Sequence, residues 1–352
     1  MSVLMVSHPL FLEHLTGPHH PERPSRMAAV GAAVSDPLVA DAVIALEPLP
    51  ATRADLERVH PPELLEHLER TASAGGGAID ADTVVSVRSM EVAALAAGAG
   101  LTAVDALRRG EAGAAFCAVR PPGHHATKGR AMGFCLVSNI AVVAASLVAA
   151  GERVWIFDFD AHHGNGTQDV FYDDPRVLFV STHQWPLYPG TGHFTETGRG
   201  AGAGTTINVP LPAGTTGDVY LRAFDDLIGP AVERFAPTWV LISAGFDAHR
   251  ADPITDLALT AGDFAALTAR AVALAPPGRV LAMLEGGYDL DALTAGTRSM
   301  LGVMSGLAPE RVRIDGEGPT SGGPGLDAVA KTCVHWLQRT SAPWADEDQL
   351  PD

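Results

Sequence analysis

Short, continuous runs of apolar residues alternate with longer amphipathic or alanine-rich segments along most of this chain. Short apolar runs that end at glycine, proline or polar clusters predict strands that are buried on both faces. Longer segments with helical spacing of apolar residues predict helices. The predicted strands cover residues 2–6, 114–119, 153–157 and 177–181, and two more begin at residues 239 and 279. The predicted helices cover residues 24–34, 62–71, 90–109, 134–151, 218–235 with Asp218 as its N-cap, 260–274 and 325–340, and another begins near residue 290.

This alternation predicts an α/β fold in which a mainly parallel central sheet carries helices on both faces. We find no linker and no internal repeat that would divide the chain. The pattern therefore favours a single domain over residues 1–352, in which 315–352 forms a C-terminal helix and a frayed acidic end. In such sheets ligands bind at the carboxyl ends of the strands, so the residues that follow each strand are the candidates for function.

Polar clusters follow four of the predicted strands: His124 with His125, then Asp158 with Asp160 and His162, then Asp247, and finally Tyr288. Along an extended backbone, side chains two residues apart share a face, so Asp158, Asp160 and His162 start on one side of the chain. Two carboxylates and an imidazole at the end of an apolar strand are costly to bury unpaired. A bound cation would offset that cost.

Asp160, His162 and Asp247 fit a catalytic metal site, which usually has three protein ligands and an open position. Each residue alone has an ordinary explanation, because aspartates often cap helices and a histidine is often a satisfied polar residue. Their convergence at strand ends favours the metal site. Oxygen and nitrogen ligands suit zinc, and they also suit iron(II), cobalt or manganese.

Two strand ends carry candidates for proton transfer. His124 and His125 follow a stiff Pro-Pro-Gly segment, and an imidazole titrates near neutral pH, although structural histidines are common. Tyr288 follows two glycines, where its phenol could donate to an oxyanion or pack as a lid over the sheet.

Aromatic residues flank the same strand ends. Phe134, Trp185 and Tyr188 could wall a narrow tube for an alkyl chain, since ligand pockets are mostly apolar. They could equally be core aromatics.

Composition narrows the class of partner. Of the 352 residues 47% are hydrophobic and 18% charged, and the net charge is -17. This balance argues against nucleic acid and against anionic membrane surfaces as partners, and it is compatible with a cationic substrate. Three sparse cysteines and the lack of a signal-peptide pattern favour a reducing compartment, so we expect a cytoplasmic protein. The least polar window, residues 134–151, is interpreted as a buried helix rather than a membrane span.

Five motifs then identify a resemblance. The chain contains, in the order and spacing of the zinc-dependent histone deacetylase superfamily, the motifs RPPGHHA, GFC, DFDAHHGNGTQ, SAGFDAHRADP and EGGYDL. The residues of the first and third motifs are most similar to the class II branch of that superfamily. The superfamily includes bacterial histone-deacetylase-like amidohydrolases and acetylpolyamine amidohydrolases. The resemblance runs from residue 20 to about residue 290. It implies an arginase/deacetylase-like fold and a zinc-dependent hydrolase that converts acetyl-lysine or another short acyl-lysine to free amine and carboxylate.

The resemblance also implies roles for individual residues. One zinc ion would be held by Asp160, His162 and Asp247, and a structural potassium ion by Asp158, Asp160, the backbone of His162, and Ser181. His124, paired with Asp158, and His125 would be the tandem catalytic histidines. His125 would take a proton from the attacking water, while Tyr288 and zinc stabilise the oxyanion. Gly133 and Phe134 would line the acyl-lysine tunnel with Tyr188 opposite, and Arg23 would lie at an inner acetate cavity.

Three positions bear on the subtype. Asn165 stands where class I members carry an aspartate, so His125 should be less basic than in those proteins. Tyr288 stands where weak class IIa deacetylases carry a histidine, which favours turnover. Ile254 stands where the eukaryotic polyamine deacetylase carries a glutamate that grips a cationic substrate. An apolar residue there argues mildly against a polyamine specialist.

Alternative functions remain in three classes. A two-manganese ureohydrolase would need carboxylates where this chain has Gly164 and His249, so that class is disfavoured. Acetylpolyamine deacetylation and a non-catalytic acyl-lysine-binding protein stay open. The expected partner is an acylated lysine in a peptide or protein, or a small acylated amine, and a homo-oligomer is compatible with the sequence.

Overall fold

A computed structural model describes residues 1–313 and 318–340. Its strands are β1 Val3–Val6, β2 Val43–Leu46, β3 Gly77–Ala78, β4 Val84–Val85, β5 Ala114–Cys117, β6 Val154–Asp158, β7 Val177–Gln184, β8 Thr206–Leu211, β9 Trp239–Ala244 and β10 Val280–Leu284. Its α-helices are α1 Ser25–Val34, α2 Arg53–Glu57, α3 Pro62–Ser73, α4 Ser89–Arg108, α5 Asn139–Ala149, α6 Asn165–Phe171, α7 Gly217–Ala223, α8 Gly229–Phe235, α9 Ala261–Ala273, α10 Leu290–Met304 and α11 Leu326–Thr340. Short 3-10 helices cover Pro9–Glu13, Ala40–Ala42, Gly200–Gly202 and Pro309–Arg311, and a π-helical turn covers Phe224–Ile228.

Eight strands form one parallel sheet in the order β2-β1-β5-β10-β9-β6-β7-β8, while β3 and β4 make a separate antiparallel pair. The predicted α/β fold with a mainly parallel sheet is confirmed. The two strands latest in sequence, β9 and β10, lie in the middle of the sheet between β5 and β6. Because all eight strands run in the same direction, the carboxyl ends of β5, β10, β9, β6 and β7 lie side by side at one edge.

Both faces of the sheet are buried, which explains why its central strands read as continuous apolar runs. On β6, Trp155 and Phe157 pack into the hydrophobic cluster on one face, and Val154 and Ile156 pack into the cluster on the other. All four side chains are fully buried. Asp158 is the next residue of this strand, and the chain leaves the sheet directly after it.

The sequence did not predict the two outer strands of the eight-stranded sheet. β2 is a short strand with partly exposed residues, and β8 follows a glycine-rich segment. Both lie at the ends of the strand order, where only one neighbouring strand stabilises them. Their pairing with β1 and β7 decides their conformation more than their local sequence does.

Two predicted helix starts were wrong. Helix α5 begins at Asn139 rather than at residue 134, because Phe134 adopts a left-handed conformation with φ of 67° and Ser138, directly before the helix, is extended. The N-cap position of α7 is occupied by Thr216, so Asp218 lies inside the helix. Its carboxylate accepts hydrogen bonds from the Thr216 hydroxyl and the Gly322 N–H.

The end of the chain is described only in part. Helix α11 matches the predicted helix at 325–340 within a residue. The frayed acidic end predicted beyond it, residues 341–352, lies outside the described residues.

Helix α4 is long and apolar enough to cross a membrane by length and composition, and 67% of its apolar window is buried inside the fold. The apolar helix α5, which the sequence had singled out, is shorter than a membrane span.

Candidate metal centre and active site

Three predicted metal ligands meet at the carboxyl edge of the sheet. One ligand atom from each of Asp160, His162 and Asp247 lies within 4.8 Å of the other two, and all three residues are buried. His162 Nδ1 lies 2.9 Å from Asp247 Oδ2 and 3.2 Å from Asp160 Oδ1. They come together because Asp160 and His162 follow β6 while Asp247 follows β9, the neighbouring strand.

The surrounding backbone fixes the two carboxylates. Asp160 Oδ2 accepts the N–H of Gly286 at 2.8 Å, and Asp247 Oδ1 accepts the N–H of Ala161 at 2.8 Å. One oxygen of Asp247 thus remains directed at His162. Zinc bonds of about 2.0–2.2 Å in tetrahedral geometry put neighbouring ligand atoms roughly 3.3–3.6 Å apart. The three residues fit such an ion with small side-chain adjustments.

The charges of the three residues shift one another's pKa values. Burial alone would lower the pKa of His162, but hydrogen bonds and charges from Asp160 and Asp247 raise it to about 10. Burial, together with the negative charge of Asp160, raises the pKa of Asp247 to about 7. A cation bound here would take the place of that proton, so metal binding should release protons.

Gly286 is required by the closeness of these carboxylates. A Cβ atom at this position would lie 2.3 Å from Asp247 Oδ2 and 2.6 Å from Asp160 Oδ2. No side chain can be accommodated without displacing the two aspartates. The Gly-Gly pair before Tyr288 therefore serves the metal ligands as well as the tyrosine.

His124 is paired with a carboxylate. Its Nδ1 lies 3.0 Å from Oδ2 of Asp158, and both side chains are almost fully buried. Burial opposes the charge on His124, but the negative charges of Asp160 and Asp158 raise its pKa well above the ordinary value. Burial raises the pKa of Asp158 to about 6. The geometry favours a protonated His124.

His125 has a neutral partner, and its pKa is shifted in the opposite direction. Its ring lies 4.0 Å from that of His124, centroid to centroid, and its Nδ1 lies 2.7 Å from Oδ1 of Asn165. Burial, with the positive charges of His124 and His162, lowers the pKa of His125 well below the ordinary value. Since the amide oxygen of Asn165 can only accept, Nδ1 donates the hydrogen bond. The other ring nitrogen of neutral His125 is then free to accept a proton.

Tyr288 is held by its backbone and by its ring. Its N–H donates to Oδ2 of Asp252 at 2.8 Å, and the Arg26 guanidinium lies 5.1 Å from the centre of its ring. Burial, with the negative charge of Asp247, raises the pKa of the phenol well above its ordinary value. The hydroxyl group therefore keeps its proton and can donate a hydrogen bond at neutral pH.

Aromatic rings surround this group of residues. The Phe134 ring packs edge-on against Tyr288 at 5.9 Å, and the Tyr188 ring packs edge-on against His125 at 5.1 Å. Gly133 allows this arrangement: its φ is 57°, and a Cβ there would lie 2.5 Å from the His125 ring. Trp185 instead lies beside a different ring, that of His193.

Two further predicted residues have clear positions. Ile254 is 36% exposed, and its N–H donates to Oδ1 of Asp252. Ser181 on β7 is the register partner of Asp158 on β6, and its hydroxyl pairs with His183 Nδ1 at 2.9 Å. Asp158 and Ser181, two of the predicted potassium ligands, therefore lie on neighbouring strands. The ion itself stays a prediction.

The role implied for Arg23 at an inner acetate cavity stays a prediction, but another arginine lies at the site. Arg26 lies beside Tyr288, and its side chain is fully buried. Its Nε donates to the carbonyl of Gly287 at 2.7 Å, and its Nη1 pairs with Glu22 at 3.2 Å. Glu22 lies three residues before the start of α1 and Arg26 is its second residue, so the spacing of four residues between opposite charges is the sequence signal that could have pointed to Arg26.

The sequence did not predict a role for three further residues of the site, Glu22, Asp252 and Glu285. Glu22 is fully buried between Arg26 and Arg120, where the arginines offset its burial and lower its pKa to about 2. Asp252 and Glu285 support the backbone of the catalytic loops. Asp252 and Glu285 lie inside motifs quoted above, but sequence spacing does not show what they contact.

The ureohydrolase alternative gains no support. Within residues 1–313 and 318–340, the triad of Asp160, His162 and Asp247 is the one group that brings three metal-ligating side chains together. Gly164 cannot supply a ligand, and a Cβ there would lie 2.1 Å from Oδ2 of Asp158.

Comparison with known proteins adds independent information. A model of the histone deacetylase domain matches residues 20–304. A probable deacetylase of Archaeoglobus fulgidus is 44% identical over 310 residues, which is 86% of this chain and 86% of that protein. A histone deacetylase-like amidohydrolase of Pseudomonas aeruginosa is 41% identical over 246 residues, covering 68% of this chain and 65% of that protein. The crystal structure of the HDA15 HD domain superposes with a TM-score of 0.87 at 33% identity, covering 96% of this chain and 94% of that one.

Proposed function

Since this chain belongs to the histone deacetylase family and is a hydrolase that acts on amide bonds, we propose that it hydrolyses the side-chain amide of acetyl-lysine or another short acyl-lysine. The products are a free amine and a carboxylate. The observation that carries this proposal is the meeting of the buried Asp160–His162–Asp247 triad with two adjacent histidines, one paired with a carboxylate and the other with an amide.

We assign one zinc ion to the triad, because its carboxylate and imidazole donors and their separations suit that metal. Zinc bound there supplies a Lewis acid that polarises the substrate carbonyl and lowers the pKa of water. Iron(II) shares the same ligand preferences and remains the competing metal.

His125 acts as the general base in this proposal. It is neutral, and Asn165 orients the ring so that the unprotonated nitrogen can take the proton of the attacking water. A general base needs to be unprotonated at working pH, and burial achieves this for His125.

The Asp158 carboxylate beside His124 favours the protonated form of its imidazole. The positive charge of His124 stabilises the negative charge that develops as water adds to the amide. The proton that His125 has taken from the water then passes to the leaving amine as the C–N bond breaks, so both histidines return to their starting states. The two adjacent imidazoles thus have separate tasks because only one of them has a carboxylate partner.

Tyr288 supplies the phenol that donates to the developing oxyanion. The Asp252 carboxylate and the Arg26 side chain hold its backbone and ring, so little reorganisation is needed when the charge forms. Phe134 and Tyr188 provide apolar walls for the methylene stem of the acyl-lysine.

A specific observation also favours acetylated polyamines as the second candidate substrate. A groove of about 520 Å³ next to Phe134 is lined in part by Asp82 and His20. The Asp82 carboxylate, together with the chain's net charge of -17, would attract a substrate with additional ammonium groups. Ile254 opposes this candidate, since it places an apolar side chain at the position implied for a cation-gripping residue.

The remaining predictions form part of the same proposal. We propose a structural potassium ion near Asp158 and Ser181 and a cytoplasmic location. Cys117, Cys135 and Cys333 are all unpaired thiols, which agrees with a reducing compartment.

The deciding experiment is a side-by-side kinetic panel of acetyl-lysine peptides, longer acyl-lysine peptides and acetylated polyamines. Turnover of an acetyl-lysine amide that disappears with a chelator and returns with added zinc supports the proposal. Tight binding of these ligands without turnover would establish the non-catalytic alternative.

A further inference from the structure

Glu285 joins two loops that the proposed reaction uses. It directly follows β10 and precedes the Gly-Gly-Tyr segment, and its side chain is fully buried. Its Oε2 accepts the N–H of Gly123 at 2.7 Å and the N–H of His124 at 3.1 Å. A single carboxylate oxygen therefore holds the backbone of the histidine loop from the tyrosine side.

The strand order makes this contact available. β5 and β10 are neighbours, with Met283 paired to Cys117, so the chains that leave the two strands run beside each other. The segment after β5 lies outside the sheet, so the N–H groups of Gly123 and His124 have no neighbouring strand to which they could donate. The Glu285 side chain supplies the partner that a neighbouring strand would otherwise provide.

Glu285 is itself firmly held. Its N–H donates to the Ala244 carbonyl at 3.0 Å, and its own carbonyl accepts from Arg26. These bonds connect it to β9 and to the arginine beneath Tyr288. The Oε2 atom is consequently placed by the sheet and not by a flexible loop.

Burial of this carboxylate needs an explanation beyond packing. A buried carboxylate is costly, and in the described part of the chain its second oxygen, Oε1, has no hydrogen-bond partner. A hydrophobic residue of similar volume would pack here without that cost, but it would leave two buried N–H groups of the histidine loop unpaired.

We propose, on the basis of the function proposed above, that Glu285 is a positioning residue for the two catalytic histidines. By accepting both N–H groups, it keeps His124 and His125 in register with Tyr288 and the metal ligands. Displacing reacting groups by about 1 Å can cost roughly a hundredfold in rate, so loss of this anchor should affect turnover more than substrate binding.

Two variants separate the anchor from general stability. Glu285→Gln retains an oxygen that can accept both N–H groups, whereas Glu285→Ala removes it. Met300→Ala is the matched control, because Met300 is fully buried in α10, packs in the hydrophobic core and makes none of the hydrogen bonds that connect the two loops. All variants are made in the full chain and assayed with an acetyl-lysine amide, with zinc content and thermal midpoint measured in parallel.

The proposal predicts a split between kcat and KM. Glu285→Ala should lower kcat by about tenfold to a hundredfold with KM changed less than about threefold and zinc content unchanged. Glu285→Gln should keep kcat within about threefold of the unsubstituted protein, since a neutral acceptor satisfies the same donors. Met300→Ala should lower the thermal midpoint at least as much as Glu285→Ala and keep kcat.

Amide hydrogen exchange across residues 120–126 gives a readout that does not depend on turnover. Exchange at Gly123 and His124 should accelerate in Glu285→Ala and not in Glu285→Gln. The proposal is overturned if Glu285→Ala keeps kcat, if Glu285→Gln loses as much as Glu285→Ala, or if exchange at these two amides is unchanged in Glu285→Ala. If the unsubstituted protein hydrolyses no acylated substrate, the proposed function fails while the exchange data still decide whether Glu285 anchors the loop.

Discussion

The Nδ1 atom of His125 lies 2.7 Å from the amide oxygen of Asn165. This neutral partner orients the imidazole without stabilising its protonated form, in contrast to the carboxylate of Asp158 beside His124. Adjacent histidines in one loop thus acquire different charges from the residues behind them.

Asn165→Asp should raise the pKa of His125, because a carboxylate favours the imidazolium. A general base works only when unprotonated, so the acidic limb of the profile of kcat/KM against pH should move to higher pH and activity at mildly acidic pH should fall. The measurement is kcat/KM across pH for both proteins. An acidic limb at the same pH in both would remove His125 as the base.

Tyr288→Phe should keep the fold and the metal but lose about 10²–10³-fold in kcat, since one oxyanion donor is removed. The matched control is Tyr172→Phe, which removes a phenol at the opposite end of α6 from Asn165 and should keep full activity. Steady-state kinetics and metal analysis of both variants test this. Full turnover in Tyr288→Phe would exclude the phenol from the mechanism.

Removal of the metal should abolish turnover and lower the thermal midpoint, because a ligand that binds only the folded state stabilises it. Elemental analysis should find one zinc ion per chain. Two transition-metal ions per chain would revive the ureohydrolase alternative. The exposed Asp225→Asn serves as a control for Asp247→Asn: only the latter should lose metal affinity.

Gly286→Ala should lose most bound metal and most activity, because the new methyl group overlaps the positions of Asp247 Oδ2 and Asp160 Oδ2. Gly31→Ala is the control. Gly31 lies in α1 with open space around its missing side chain, and this change should stabilise the protein by roughly 0.5–1 kcal/mol. Zinc content and thermal unfolding distinguish the two. Normal zinc binding in Gly286→Ala would contradict the close approach.

Ile254→Glu should shift substrate preference toward acetylated polyamines. A partly exposed carboxylate gains about 0.2–1 kcal/mol from each nearby ammonium group, which is at most about fivefold in relative kcat/KM. The comparison is the ratio of kcat/KM for an acetylated polyamine and a neutral acetyl-lysine peptide, at low and high salt. A ratio that does not change would place Ile254 outside the substrate's reach.

Sequence alone determined the fold class and the main candidates for chemistry. The apolar runs predicted the central strands, and the rule that parallel strands present ligands at their carboxyl ends identified His124, Asp160, His162 and Asp247 as residues that meet. The five motifs predicted the family, which the comparisons confirmed. These inferences succeed because strand patterns are local properties of a chain, and because the carboxyl ends of parallel strands meet at one edge of the sheet whatever their distance in sequence.

Tertiary structure alone decided which side chains support these candidates. The insertion of β9 and β10 between β5 and β6 places Glu285 against the histidine loop and Asp247 against Asp160. It also places Tyr288 beside Arg26, a residue more than two hundred and fifty positions away in sequence. The physical reason is that strand order, burial and the sum of nearby charges depend on residues far apart in sequence, and these non-local terms set the separate proton affinities of His124 and His125.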